Sequence, residues 1–512
     1  MSTPASKKYS DYTFRHVARV VIEFTTPFHV GTGEGGFGAN ALVVSDVNGL
    51  PTIPGSSLAG ALRAALTADG IHDARTNDLF GFQIKDQGCG ARLSLTWAAI
   101  HNRNDQPIQG LVAPACLEGD EVLQQALSLR IRDHVRLDHR GVADTANRGK
   151  FDEQPVAAGH RFTFELELIS AELTDPDWTY LCRILSLPSL RLGGKSRRGY
   201  GAFRVVRISA RSFELSRSDE FAAYASHPAS LSQPAPALHD QTVVVTVAPR
   251  RMVTITLRLQ PTGYWMFGGG DDLPPPGAAP ADQAPLREDR IEWTNSSGRV
   301  MKDILLLPGS AIKGALSHRV AFHFNRLKST FADELAAGCG NDDAGHEAAR
   351  EKLQAVCGIY NAGVRELFGL VSESKDPASV SAARGRVLID DLYWRAGWPK
   401  QQRVPHVSID RFTGGAADSK LFSERPCWKG DFPDLRLVIL EPDSVSPTTR
   451  AALKAALEDL TRGALALGAG AGRGLGYFEP RTGGEPTIEC SDGGVWLNGK
   501  SPIPNPQLNA QP

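Results

Sequence analysis

At 512 residues the chain exceeds what one hydrophobic core usually organises, so two or three domains are expected. With 41% apolar and 22% charged residues it has the composition of a folded globular protein, and its 51 glycines and 33 prolines forecast many turns rather than wholesale disorder. Lys plus Arg number 56 against 57 Asp plus Glu, so a polyanion would have to be met by local basic patches and not by net charge.

Seven scattered cysteines without a C-x-x-C pair argue against a disulfide framework and a zinc site, and fit a reducing compartment. The polar start MSTPASKKYSDYTF and the lack of any apolar run of about 18 residues predict a cytoplasmic protein with no export signal and no membrane span.

In chain order, the first punctuation is the G-x-G-x-x-G run Gly31 to Gly36. The stretch Ala41-Leu-Val-Val44 just beyond it is extended and apolar where the dinucleotide fingerprint needs a helix, so the run reads as a turn that lets a ligand approach. Pro54-Gly55-Ser56 then opens a helix with Leu58, Leu62 and Leu66 on one face and a serine available to cap it. Leu79-Phe80-Gly81 and a short strand from Arg92 to Trp97 come next.

Residues 130 to 150 carry Arg130, Arg132, Arg136, Arg140, Arg148 and Lys150 against Asp133, Asp138 and Asp144, which makes either a solvated loop or a hairpin that tracks phosphates. Arg161 to Leu168 alternates apolar and polar residues as a half-buried strand does. Asp175-Pro176 starts a second helix with Trp178, Leu181 and Leu185. A glycine loop then closes the first half: Gly193, Gly194, Lys195, Arg197, Arg198, Gly199 and Gly201 offer bare backbone N–H groups and arginines to a phosphate. Gly194-Lys195-Ser196 is not the end of a Walker A loop, because position 189 is Ser where that motif needs Gly.

A Pro/Ala/Ser-rich stretch, 227–241, reads as a linker. Beyond it the same signals return in the same order. Arg251 to Leu259 is an alternating strand, and Pro308-Gly309-Ser310 opens a helix with Ser310 available to cap it and Ile312, Leu316 and Val320 on one face. Leu367-Phe368-Gly369 and the strand Arg386 to Asp391 match their earlier counterparts. His406-Val-Ser-Ile-Asp410, continuing to Phe422, Glu424, Pro426 and Gly430, matches His134-Val-Arg-Leu-Asp138, continuing to Phe151, Glu153, Pro155 and Gly159. Ser446-Pro447 starts a helix with Leu453, Leu457 and Leu460, and the last glycine loop carries Gly468, Gly470, Gly472, Arg473, Gly474 and Gly476.

Each His-Asp pair could be base and orienter, but four residues along a strand put its members roughly 13 Å apart, so hydrogen-bonding roles are expected. The repeat divides the chain into a first domain (1–226), the linker, a second domain (242–480) and a C-terminal extension (481–512). Strand, helix, strand, long excursion, strand, helix, glycine loop and strand make a βαββαβ unit. The expected class is α+β, as two tandem ferredoxin-like (RRM-like) domains with hairpin insertions.

Taken together, residues 49 to 60 (GLPTIPGSSLAG), the two Leu-Phe-Gly triplets, Ile-Asp-Arg-Phe-Thr-Gly (409 to 414) with Leu421-Phe422, and the glycine loops resemble the RAMP superfamily. The resemblance is to the backbone subunits of type III CRISPR effector complexes, over about 17 to 210 and 250 to 480. It implies a ferredoxin-like palm holding guide RNA on its glycine loops, with Gly193, Gly194, Lys195, Arg197, Arg198, Gly199, Gly470, Gly472, Arg473, Gly474, Arg136 and Arg140 as RNA-binding residues. It also implies thumb hairpins (134 to 159 and 406 to 430) that kink the guide–target duplex. The implied partners are guide RNA, complementary target RNA and other effector subunits of an antiviral ribonucleoprotein, with no membrane.

Family members that cut the target carry an aspartate about ten residues before the glycine preceding the Pro-Gly-Ser helix. Counting back from Gly49 gives Ala39, and from Gly298 gives Glu288 beside Asp289, with Asp271 and Asp272 as competing acids. A catalytic second repeat would be an endoribonuclease with Mg²⁺ or Mn²⁺ on Asp289. The alternatives are a purely structural guide-binding subunit, or a metal-independent guide-processing ribonuclease using a residue such as His29.

Overall fold

The computed structural model describes residues 11–33, 42–68, 70–71, 73–137, 142–143, 149–241, 252–270, 272–274, 277–339, 343–370, 383–394, 399–483 and 486–499. It is a mixed α/β chain in which two repeats share one plan.

In the first repeat, strand β1 (Phe14–Phe24) is paired on both edges and buried along most of its length, because Val20 and Ile22 face the helix-covered core while Val17 packs with Phe213 and Leu238 on the other side. Helix α1 (Gly55–Ala68) buries Leu58, Leu62 and Leu66, the apolar stripe read from the sequence. The short strand β2 (Leu93–Leu95) is followed by a hairpin of β3 (Arg132–Val135) and β4 (Lys150–Glu153). Then come β5 (Arg161–Ser170), helix α2 (Pro176–Ile184) and β6 (Phe203–Glu214). Val20 lies opposite Phe164 of β5 and Ile208 of β6, and β2 adds to β5, so the antiparallel order is β6-β1-β5-β2. Leu58, Leu62, Leu181 and Ile184 from the two helices share one core with Val20, Ile22 and Phe164.

The second repeat begins with β7 (Met252–Leu257), whose Val253, Ile255 and Leu257 are buried in alternation. A long hairpin, β8 (Arg287–Thr294) and β9 (Ser297–Leu307), leads into helix α3 (Gly309–Leu327). After β10 (Val387–Ile389) comes a second exposed hairpin, β11 (Val404–Ile409) and β12 (Ala416–Glu424). β13 (Leu435–Leu440), helix α4 (Pro447–Thr461) and β14 (Ile488–Cys490) complete the unit. The sheet order β14-β7-β13-β10 repeats that of the first half.

Three details differ from the sequence expectation. The strand expected over 251–259 breaks after Leu257, and Leu259–Pro261 pairs instead with Phe478–Pro480. Ile488–Cys490, in the segment set apart by sequence as an extension, pairs with β7. Ser310 is not a cap: helix α3 has Pro308 at its N-cap with no side-chain hydrogen bond. Gly309 lies so close to the backbone of Ile389 and Asp390 that Asp391 Oδ1 accepts from Gly309 N at 2.8 Å and caps the helix from the next strand. Asp175 and Ser446 do cap their helices, accepting from Asp177 N and Thr449 N.

The stretch 227–241 lies along the first repeat, with Leu231 and Leu238 buried and Arg19 donating to the carbonyl of Gln233. The repeats themselves meet face to face. Ile291 N donates to Ala158 O at 2.9 Å and Trp293 Nε1 to Gly159 O at 2.7 Å, while Val122 packs with Ile291 and Val300, and Ala158 with Leu306 and Tyr393. Gly159, at φ 93°, is needed here, because a Cβ would fall on the backbone of Ile291.

Candidate nucleic-acid interface

The two glycine loops have the same local construction. Gly194 N donates to His29 O at 2.8 Å and Gly201 N to Pro27 O at 2.8 Å; in the second copy Ala469 N donates to Met266 O at 2.7 Å and Gly476 N to Tyr264 O at 2.8 Å. Each loop turns through one 3₁₀ turn, Ser196–Arg198 or Ala471–Arg473, flanked by left-handed residues. Lys195 takes that conformation in the first copy, where Gly470 stands in the second. Gly31 and Gly268 sit beside these loops, and the segment described from Leu42 onward runs beside Val30, with Thr32 N donating to Leu42 O and Val44 N to Val30 O. His29 is buried beneath the first loop.

Each loop is fastened to the base of its own hairpin. His134 lies opposite Phe151 and Arg132 opposite Glu153; His406 lies opposite Phe422 and Val404 opposite Glu424. His134 stacks on Phe151 with ring centroids 5.1 Å apart, and His406 on Phe422 at 4.9 Å. Arg198 lies over Phe151, and Arg473 over Phe422. Buried Glu153 takes Lys195 Nζ at 2.6 Å and Arg198 at 3.4 Å, while buried Glu424 takes Arg473 and, at 3.1 Å, His406. The histidines therefore pair with these glutamates. Asp410 instead accepts from Phe412 N and Thr413 N in the hairpin turn, and Asp138 lies outside the described residues. In the sequence Glu153 and Glu424 stand only as matching letters; an acid that recurs in both hairpins together with an arginine that recurs in both glycine loops was the available signal.

What surrounds the loops differs. The second loop is open, with nothing within 4 Å of where a Cβ on Gly472 or Gly474 would point. The first is seated on the second repeat: a Cβ on Gly199 would meet Asp391, and Arg197 Nε donates to Gly385 O at 2.6 Å. Around that seat positive charge accumulates. Arg191 pairs with Asp390 at 2.7 Å, but its Nε is buried without a partner, as is Arg197 Nη1. Burial, with Arg384 and Arg191 nearby, pushes Arg197 down to about 9 against a partial counterweight from Glu441. Burial, Arg198 and Arg197 push Lys313 down to about 8. A cleft of about 350 Å³ opens here, lined by Gly31, Ser57, Arg191, Gly193, Gly194 and Arg384 among others. Of the remaining basic positions read from sequence, Arg136 is half-buried beyond the end of β3, and Arg140 lies outside the described residues.

The acids considered for cleavage do not converge. Glu288 is buried at the junction, where its Oε1 accepts from Arg132 Nε at 2.6 Å and its Oε2 from Tyr393 at 3.3 Å; the same arginine binds Asp391 at 2.5 Å. Asp289 pairs with Arg130 at 3.0 Å and accepts from Asp303 N. Asp272 is held by Arg425 at 2.7 Å and by Ala281 N. Asp271 lies outside the described residues, as does Ala39. Because guanidinium groups already occupy Glu288, Asp289 and Asp272, these side chains do not form a ready Mg²⁺ or Mn²⁺ cage. Among the described residues no group of three His, Cys, Asp or Glu side chains is placed to hold a metal ion.

Among the described residues no helix is long and apolar enough to cross a membrane. Comparison with curated proteins gives no match. The family model of the RAMP superfamily matches residues 21–204 and again 262–479, one match for each repeat. The chain therefore belongs to the RAMP superfamily, as a tandem of two RAMP repeats, and so to the CRISPR-associated RNA-binding subunits.

Proposed function

We propose that the chain is a guide-RNA-holding backbone subunit of a type III CRISPR ribonucleoprotein, with the RNA backbone crossing the seam between its repeats at the first glycine loop. The observation that carries this reading is the gathering of Arg191, Arg197, Arg198, Lys313 and Arg384 around this seat, where burial, with cations alongside, lowers Arg197 and Lys313, and where Arg191 Nε and Arg197 Nη1 are buried without a partner. Such a cluster gains most from a ligand with repeated negative charge, and phosphate oxygens supply both charge and acceptors. The cleft beside it adds bare glycine backbone, which suits contacts to backbone rather than to base edges.

Two further observations support the reading. The strand order shared by both repeats supports the expected ferredoxin-like palm. The β11–β12 hairpin also exposes apolar side chains, with Phe412 99% and Leu421 73% exposed, as expected of a thumb that wedges into a duplex. The geometry favours holding over cutting, since the three described candidate acids already bind arginines.

The test is filter binding of single-stranded RNA of several sequences by Arg197→Ala, Lys313→Ala and Arg384→Ala. Each is expected to weaken binding alike for all sequences and to lower the salt slope by about 0.7 per lost contact. Unaltered affinity and slope in all three would overturn the proposal.

A further inference from the structure

A second cleft, of about 550 Å³, opens in the second repeat, lined by Tyr264, Lys400, Gln401, Gln402 and Trp428. It shares no lining residue with the cleft at the seam, and the RNA-holding role leaves it unused.

Three short paired segments build it. Tyr264–Trp265, Cys427–Trp428 and Lys400–Gln401 are in antiparallel register, with Trp428 opposite both Tyr264 and Lys400. Directly opposed residues share a face, so these three side chains stand together. The rings of Tyr264 and Trp428 form a corner, with centroids 4.6 Å apart and planes at 64°. Trp428 is nevertheless 41% exposed, an indole fixed by its neighbour yet left open to solvent. An aromatic surface of this kind takes a flat ring by stacking, and a nucleobase is the flat ring that also carries polar edges.

The polar side chains around the corner offer donors. Both ends of the Gln401 amide are engaged within the protein, Oε1 accepting from Arg287 at 3.1 Å and Nε2 meeting Cys427 Sγ at 3.6 Å. Gln402 is different: its Oε1 accepts from the Tyr264 hydroxyl at 2.7 Å, which leaves the two N–H donors of Nε2 for whatever the cleft holds. Lys400 adds an exposed ammonium group, and exposed Lys429 has its Nζ 5.7 Å from the centroid of the Trp428 ring. The shared plan of the repeats does not require any of this. Gly201 N donates to Pro27 O as Gly476 N does to Tyr264 O, so proline stands in the first repeat where Tyr264 stands in the second. Ala157, two residues before Gly159, stands where Trp428 stands before Gly430.

We propose that this cleft binds one unpaired guanine nucleotide, the base seated in the Tyr264–Trp428 corner with O6 and N7 accepting from Gln402 and Lys400, and a phosphate met by Lys429. The donors select the base. Guanine presents two adjacent acceptors, whereas adenine sets its N6 donor beside N7 and would turn donor against donor. The two purines stack over nearly the same area, so the edge decides between them. The nucleotide is either an unpaired position of an RNA or a free guanosine phosphate; only the first source rests on the RNA-holding role.

The experiment is calorimetric titration of the full chain, freed of RNA by nuclease, with guanosine 5′-monophosphate and adenosine 5′-monophosphate. The guanosine nucleotide is expected to bind about fivefold tighter or more, the scale of one well-matched base edge. Trp428→Ala is expected to weaken it about fivefold or more, the scale of one lost stacking partner, while Trp428→Phe, which keeps a ring, loses less. Tyr264→Phe releases the Gln402 amide to turn its oxygen toward adenine, so the preference between the two nucleotides should shrink toward none. Circular dichroism checks that each variant is folded. A single-stranded RNA with one guanine, titrated against the bound mononucleotide, separates the sources: displacement marks an RNA base, and its absence marks a free nucleotide. No binding of either nucleotide at millimolar concentration would overturn the proposal, as would equal binding of the two, a folded Trp428→Ala that binds like wild type, or a Tyr264→Phe that keeps the full preference. The mononucleotide is read without RNA, so failure here leaves the role of the seam standing, and failure of the filter-binding test leaves this site standing.

Discussion

Arg132 is 2% exposed and binds two buried carboxylates from the other repeat, Glu288 and Asp391. Removing it leaves both acids in the junction without their cation, and breaking a buried pair in this way typically costs about 3–5 kcal/mol. Arg132→Ala is therefore expected to lower the denaturation midpoint severely; a change under about 1 kcal/mol in a denaturant titration would contradict this assignment. Glu288→Ala and Asp289→Ala should likewise disturb the junction rather than a reaction. Neither variant should alter the products when labelled complementary RNA is incubated with the assembled complex in Mg²⁺ or Mn²⁺, and a cut seen in the wild type but absent from Asp289→Ala would restore the catalytic reading.

The glycines give a sharper residue-level contrast. Gly199 and Gly474 are equivalent and both left-handed, yet only Gly199 has protein against its missing Cβ. Gly474→Ala should cost about 1–2 kcal/mol, the strain of a left-handed alanine. Gly199→Ala should cost clearly more because Asp391 must also move; equal losses in parallel thermal melts would refute the seating. The glycine pattern was legible in the sequence, but the neighbour was not, since contact with a residue nearly 200 positions away leaves no local trace.

At the scale of elements, the helices and main strands were legible because their apolar periods are strong: Leu58, Leu62 and Leu66 of α1 are buried as their spacing requires. Two features were not. Asp391 caps helix α3 from a separate strand, so the adjacent Ser310 looked like the cap. The basic segment after Leu129 allowed a solvated loop or a hairpin, and the structure pairs its ends as β3 and β4 through Arg132 and Glu153.

Hairpin and palm also carry a pH dependence. Burial holds His134 down at about 4, assisted by Arg132, Arg198 and Lys195 and opposed by Glu153, and burial alone holds His160 down at about 3. Between these values and the ordinary 6.5 the folded chain binds fewer protons than the unfolded one. Their contribution is therefore complete above pH 6.5 and is lost as pH falls toward 4. Burial, with Glu288 alongside, raises Asp391 to about 6, which acts oppositely, since the fold then takes up a proton as pH falls from 6 toward the usual carboxylate range. The melting temperature should fall between pH 7 and 5, and His160→Gln, which retains a donor toward Gln125, should flatten the fall. A scanning-calorimetry profile with the same slope in both proteins would contradict it.

For the whole molecule, the order of five matching signals was enough to read a tandem repeat, and the family match falls on those same two stretches. What the sequence could not show is that the two loops differ in surroundings, the first seated on the second repeat and the second open. Lys195, Arg197 and Lys313 have Gly470, Gly472 and Ala59 as counterparts, so positive charge is concentrated on one loop and at one seam. The RNA should therefore be found at the seam and not equally on both loops. Ultraviolet crosslinking of bound RNA with subsequent peptide mapping measures this directly. Adducts are expected on peptides spanning 191–198 and on those containing Lys313 or Arg384; adducts confined to the second loop, 468–474, with none at the seam, would contradict binding at the seam.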